Sequence, residues 1–120
     1  MGWSFNNREA IFLQIADKLR VKIISGEYAP DTQVPSVRQL AEEAAVNPNT
    51  VQRSLALLEE EGLLYSKTTV GRFVTPDAEK IAKAREKMRR TTVKRIIGEA
   101  AELGITGEEL VNYIKEEIKA

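Results

Sequence analysis

PSVRQLAEEAAVNPNTVQRSLALLEEEG, residues 35–62, sets two helix starts, a tight turn and a helix stop in one short stretch. Ser36 precedes a run of good helix formers, and Gln39 stands at the third helical position. The two side chains can therefore satisfy each other's unpaired backbone donors as a capping box. A short helix starts there and ends at Ala45-Val46. Asn47-Pro48 opens the next helix: Asn is a preferred cap, and proline suits the first helical position, where no backbone donor is needed. Gly62 can take the left-handed conformation that closes it. The stretch reads as a helix-turn-helix.

Winding the second helix at about 100° per residue puts Val51, Leu55 and Leu58 on one face and Asn49, Arg53, Ala56 and Glu60 on the other. The first face is a core face. At the N-terminal end of the other, Asn49, Thr50, Gln52 and Arg53 can exchange hydrogen bonds with base edges and phosphates. A helix N-terminus attracts phosphate through its free N–H groups and its macrodipole. Periodicity alone fits a solvated polar face equally well.

Composition narrows the class. The chain has 120 residues, 42% hydrophobic and 30% charged, with formal net charge +0. That is enough for one modest domain with an appendage, neither disordered nor fibrous. Without cysteine there are no disulfides or thiolate zinc sites, and without histidine the commonest metal ligand and general base is missing. No phosphate loop or nucleophile elbow occurs, so no catalysis, cofactor or metal is expected. No apolar run approaches the roughly 18 residues of a membrane span and no signal sequence is evident, so a cytoplasmic protein with no membrane partner is expected. Charge is distributed unevenly. Residues 80–95 carry eight basic side chains against the single acid Glu86, whereas Glu residues dominate from Ile96 onward. A basic helix followed by an acidic one can pair with itself or with a second copy, and a solvated surface explains the same pattern.

Upstream of the quoted stretch, Trp3 and Phe5 suit a cap on the core or a dimer contact. Phe12, Ile15, Ala16, Leu19 and Ile23 then follow a helical stripe from about Arg8 to Ser25, with Gly26 as the stop and Gln14 beside the stripe as a packing residue. Residues 27–34 form a linker with a turn at Pro30-Asp31. After Gly62 the pattern becomes short and extended, a hairpin whose loop comprises residues 68–71, with Lys67 and Arg72 beside it and Phe73 in the core. Gly71 can supply the positive φ of the tip or a bulge. Thr75-Pro76 repeats the cap-then-proline signal and starts a long helix. Ile81, Ala84 and Met88 form one stripe along it, and Val93, Ile96, Ala100 and Leu103 a second rotated by about 90°. Thr91-Thr92 marks the changeover, by a bend or by a change of partner. Gly104 ends this helix, and Thr106 with Glu109 caps a last one carrying Leu110, Val111, Ile114 and Ile118.

The segments P-S-V-R-Q-L-A, V-N-P-N-T-V-Q-R-S-L and L-E-E-E-G-L-L, with I-F-L-Q-I near the N-terminus and a short C-terminal tail, resemble the GntR family of bacterial transcription regulators, in the form of its YtrA subfamily. The match covers nearly the whole chain. It implies a mainly α fold with a small β-hairpin: a winged helix-turn-helix over residues 1–75 and a two-helix dimerisation segment over 76–120. It also implies a homodimeric repressor acting on a palindromic operator in double-stranded DNA, often that of its own operon and of neighbouring transporter genes, and it names no effector. The expected DNA-binding residues are Arg38, Asn47, Asn49, Thr50, Gln52, Arg53, Lys67, Thr69, Gly71 and Arg72. Gln52 and Arg53 are assigned to bases, Arg38 to phosphate. Thr69 stands where the family's G-x-G-x-F-V pattern has its first glycine. Gln52 stands where many relatives carry arginine, which shifts the expected base toward adenine. Ile96, Ala100, Leu103, Leu110, Ile114 and Ile118 are the expected dimer contacts.

Two readings from other classes remain. In one, the winged helix is a protein-interaction module whose basic helix binds an acidic partner. In the other, an effector pocket forms at the dimer interface from Trp3, Tyr113 and their neighbours.

Overall fold

A computed structural model describes residues 3–67 and 69–120. The elements follow in the order α1 (Ile11–Ile24), α2 (Val37–Ala44), α3 (Pro48–Glu60), β1 (Leu64–Lys67), β2 (Gly71–Val74), α4 (Ala78–Glu102) and α5 (Gly107–Lys119). The chain divides into two compact units, Met1–Lys83 and Ala84–Ala120. Thr68, part of the expected hairpin loop, lies outside the described residues.

In the first unit, α1, α2 and α3 enclose a core of Ile15, Ala16, Leu19, Ile23, Leu40, Ala41, Ala44, Val51, Leu55 and Leu58, each at most 5% exposed. Leu63, Leu64 and Val74 of the hairpin and Ile81 of α4 complete it. Removing one of the large side chains, as in Leu55→Ala, would cost about 2–5 kcal/mol. The capping box that starts α2 is closed, Gln39 N donating to Ser36 Oγ at 3.1 Å and Ser36 N to Gln39 Oε1 at 2.8 Å. Both α2 and α3 end in the same way. Ala45 (φ 57°) and Gly62 (φ 83°) are left-handed, and the next amides, Val46 and Leu63, donate back to the carbonyls of Ala41 and Leu58 at 3.1 and 3.0 Å.

The hairpin is antiparallel, pairing Leu64 with Val74 and Lys67 with Gly71. The expected linker also joins it: Gln33 forms an antiparallel bridge with Phe73, and Val34 N donates to Arg72 O at 3.0 Å. The free edge of β2 thus finds a partner in residues that carry no strand signal of their own.

Three local expectations are corrected. Helix α1 begins at Ile11 instead of Arg8, because the Gln14 amide binds the main chain of Asn6 and Glu9 (Nε2 to the carbonyls at 2.9 and 2.8 Å, Asn6 N to Oε1 at 3.0 Å) and holds that segment outside the helix. Gln14 is buried, as expected of a packing residue, and serves in addition as a clasp on the chain ahead of the helix. Helix α4 begins two residues after Pro76, since Asp77 Oδ1 accepts from the amides of Glu79 and Lys80 while Thr75 Oγ1 only accepts from Asp77 N. Phe73 is half-buried instead of core: its ring stacks on Tyr65 across the hairpin at 5.8 Å, and the strand's inward position falls to Val74.

In the second unit, α4 continues helically through Thr91-Thr92. Gly104 (φ 75°) closes it, with Ile105 N donating to Ala100 O at 3.0 Å, and the Thr106–Glu109 capping box opens α5. Helix α5 buries no residue.

Candidate nucleic-acid interface

The N-terminus of α3 is fixed by the Asn47 side chain, whose Oδ1 accepts from Asn49 N at 2.8 Å, with Pro48 in the first turn. Val51, Ser54, Leu55 and Leu58 face inward, so Asn49, Gln52 and Arg53 are left exposed and Thr50 half-buried. Ser54 ties the helix to α1: its one hydroxyl proton is shared between the Phe12 carbonyl, at 2.7 Å from Oγ, and the Thr50 carbonyl, at 3.1 Å. Beside this tie, the Arg53 guanidinium lies 3.8 Å from the centre of the Phe12 ring. Asn49, Thr50 and Arg53 line a shallow concavity with Ala10, Ile11 and Phe12.

Gln52 faces the wing. Arg72 donates from Nη1 to Gln52 Oε1 at 3.2 Å and from Nε to Glu59 Oε1 at 3.0 Å, and Ser66 Oγ donates to Glu59 Oε2 at 2.9 Å. These bonds, Arg72 first and Ser66 second, hold the Glu59 carboxyl below its ordinary pKa. Arg72 is thus engaged in joining strand to helix instead of standing beside the loop as an isolated cation. Lys67 folds over Phe73, its Nζ 4.4 Å from the ring centre. Arg38 extends into solvent with its side chain 89% exposed, and Glu42 lies 3.5 Å away.

Thr69 takes a left-handed conformation, φ 54°, which explains why a glycine suits that place. Gly71 has φ 135°, and a Cβ there would lie 2.8 Å from Gln33 Nε2, a group that donates to the Val70 carbonyl at 2.8 Å. Its smallness serves the wing's own packing.

Of the expected dimer residues, Ile96, Leu103, Ile114 and Ile118 are exposed, Leu103 and Ile118 each at 78%. Leu110 is half-buried and Ala100 is buried. No helix among the described residues is long and apolar enough to cross a membrane.

Sequence spacing placed Asn49, Gln52 and Arg53 on the exposed face, but not their partners Phe12 and Arg72. Phe12 lies on the expected stripe of α1, is half-buried and ends that stripe. The alternation of the hairpin carried no signal for the Arg72–Gln52 bond.

A three-helix core whose third helix has a capped N-terminus with exposed polar side chains, and a hairpin bonded to that helix, defines a winged helix-turn-helix, the architecture of a DNA-binding regulator. The family described as bacterial regulatory proteins, gntR family, matches residues 12–74, and the chain belongs to it. It is 33% identical over 115 residues to the uncharacterized HTH-type transcriptional regulator YhcF of Bacillus subtilis, covering 96% of this chain and 95% of that one. With the HTH-type transcriptional repressor YtrA of the same organism it shares 30% over 107 residues, 88% of this chain and 82% of the other. A GntR family transcriptional regulator from Listeria monocytogenes superposes with TM-score 0.84 at 30% identity, over 93% of this chain and 98% of that one. The DNA-binding domain of AraR in complex with operator ORX1 matches 60% of this chain and 93% of its own, with TM-score 0.55 and 25% identity. The mainly α fold with its small hairpin and the role of a DNA-binding transcription regulator follow as expected from the residues.

Proposed function

We propose that this regulator is a cytoplasmic homodimeric repressor of the YtrA type, with no catalytic role, that binds a palindromic operator. Residues 1–75, extended by the start of α4 through Lys83, form the DNA-binding part, and the remainder of 76–120 the dimerisation segment. The α3 N-terminus enters the major groove, Gln52 and Arg53 contact bases, and Arg38 contacts phosphate. Asn49 and Thr50 lie along the same end, and Lys67, Thr69 and Arg72 belong to the wing. Exposed Ile96, Leu103, Ile114 and Ile118 meet their copies across a twofold axis. The observation that carries this reading is Arg53: it is exposed at the start of a capped helix and, among the described residues, has no carboxylate within ion-pair distance. The name of the YtrA relative supports repression.

A mobility-shift assay with the DNA upstream of the protein's own gene tests it. Arg53→Ala should cost about 1–3 kcal/mol and relax preference at one operator position, whereas Arg38→Ala should weaken binding to all sequences and lower the salt slope by about one. Parent-like binding by both variants would place the DNA surface elsewhere.

A further inference from the structure

Phe12 occupies the first turn of α1 yet does not join the buried face of that helix. Ile15, Ala16 and Leu19 are at most 1% exposed, whereas Phe12 is half-buried and the Arg53 guanidinium lies 3.8 Å from its ring centre. The backbone around this contact is constrained, because the fully buried Ser54, next in sequence to Arg53, donates to the carbonyl of Phe12 itself at 2.7 Å. The ring and the guanidinium are therefore held in register by a bond from the side chain next to Arg53 to the main chain of Phe12. Arg20, Arg38, Arg72, Arg90 and Arg95 are each paired with a carboxylate, and a carboxylate at Arg53 would compete with DNA for its donors. An aromatic face holds the cation through its quadrupole and takes none of its five N–H groups.

We propose that Phe12 is a positioning residue for sequence readout: its ring is the platform that holds the Arg53 guanidinium ordered, with its donor edge open, for the two acceptors of guanine, O6 and N7. The assignment rests on the DNA-contact reading of α3 given above. Ordering the side chain before binding removes part of the rotamer entropy that a free arginine loses on contact, so the platform acts on base-specific affinity. Backbone attraction depends on charge alone and is untouched.

The test uses the full chain with Phe12→Leu, Phe12→Tyr, Arg53→Ala and the Phe12→Leu/Arg53→Ala double variant, on the operator and on operators changed at single base pairs. Thermal melts and far-UV circular dichroism establish that each variant is folded. Phe12→Leu should lose about 3- to 30-fold in operator affinity and flatten discrimination at the base that Arg53 reads, with unchanged affinity and salt slope on unrelated DNA. Phe12→Tyr, which keeps the π face, should retain the discrimination. Phe12→Leu should add little once Arg53 is Ala. In the free protein, the Arg53 side-chain protons should show an upfield ring-current shift that Phe12→Leu abolishes. If folded Phe12→Leu keeps parental discrimination, or loses as much affinity in the Arg53→Ala background as in the parent, the platform is refuted while operator binding stands. If the parent binds no DNA sequence preferentially, the DNA reading fails and the platform falls with it.

Discussion

Arg72 in the wing strand donates a hydrogen bond to Gln52 Oε1 in α3, at 3.2 Å. The carbonyl oxygen of the Gln52 amide thus has one of its two lone pairs engaged by the wing. Adenine is read by a Gln that uses both ends, the oxygen accepting from N6 and the nitrogen donating to N7. An amide tethered to Arg72 through its oxygen is less free to present both ends to adenine, and its N–H donors suit an acceptor such as guanine O6 or thymine O4. Selection from a randomised operator should return guanine or thymine at the Gln52 position for the parent protein, and a shift toward adenine for Arg72→Met. Adenine preferred equally by both proteins would mean that the wing does not orient the amide.

The same arginine makes stability depend on acid. Arg72 and Ser66 hold the Glu59 carboxyl below its ordinary pKa. A depressed folded-state pKa contributes stability that is fully present above the unfolded value, about 4.3, and is lost as pH falls through the folded value. Glu59→Gln should therefore melt below the parent at neutral pH, and the gap should close as the pH is lowered through about 4. A gap of constant size across thermal melts would show that the carboxylate charge contributes nothing there.

The turn between α2 and α3 predicts two changes of opposite sign. Asn47→Ala leaves the Asn49 amide without its acceptor and should cost about 1 kcal/mol of stability, with weaker DNA binding because α3 is then less firmly aimed. Ala45→Gly should stabilise by about 0.5–1 kcal/mol, since a left-handed alanine costs about 1–2 kcal/mol and glycine gives back part of that gain as chain entropy. Denaturant midpoints at fixed slope would measure both; an Asn47→Ala protein as stable as the parent would free that side chain for DNA.

Dimerisation is tested by removing the apolar helices. Because Ile81 is buried in the first compact unit, the cut belongs after Lys83. Residues 1–83 should fold, sediment as a monomer and bind operator about 10²–10⁴ more weakly with unchanged half-site preference. Ile114→Asp in the full chain should likewise yield a monomer, since it would bury a charge in the proposed contact. A stable dimer in either case would move the contact to the region of Trp3 and Phe5.

Signals that act within a few residues were legible in the sequence. Ser36 with Gln39, Asn47-Pro48, Gly62, Gly104 and Thr106 with Glu109 each start or stop a helix where their local chemistry demands. Periodicity likewise located the core faces of α1 and α3. What escaped reading depends on distant segments. Gln33 pairs with Phe73 and donates to Val70, Arg72 reaches Gln52, and Phe12 meets Arg53 instead of the core. A repeat of 2.0 or 3.6 residues says which side of an element is apolar, not which remote side chain lies over its rim. Even the one-turn delay of α1 has this origin, since Gln14 favours the main chain ahead of it over a longer helix.

That Gln14 clasp has a practical consequence for anyone producing the protein. It fastens Asn6 and Glu9 just ahead of Ala10, which borders the same concavity as Arg53. A purification tag or fusion partner on the N-terminal side is tied by this clasp to the end of α1 that borders the proposed DNA contact, so operator binding should be measured with the tag removed.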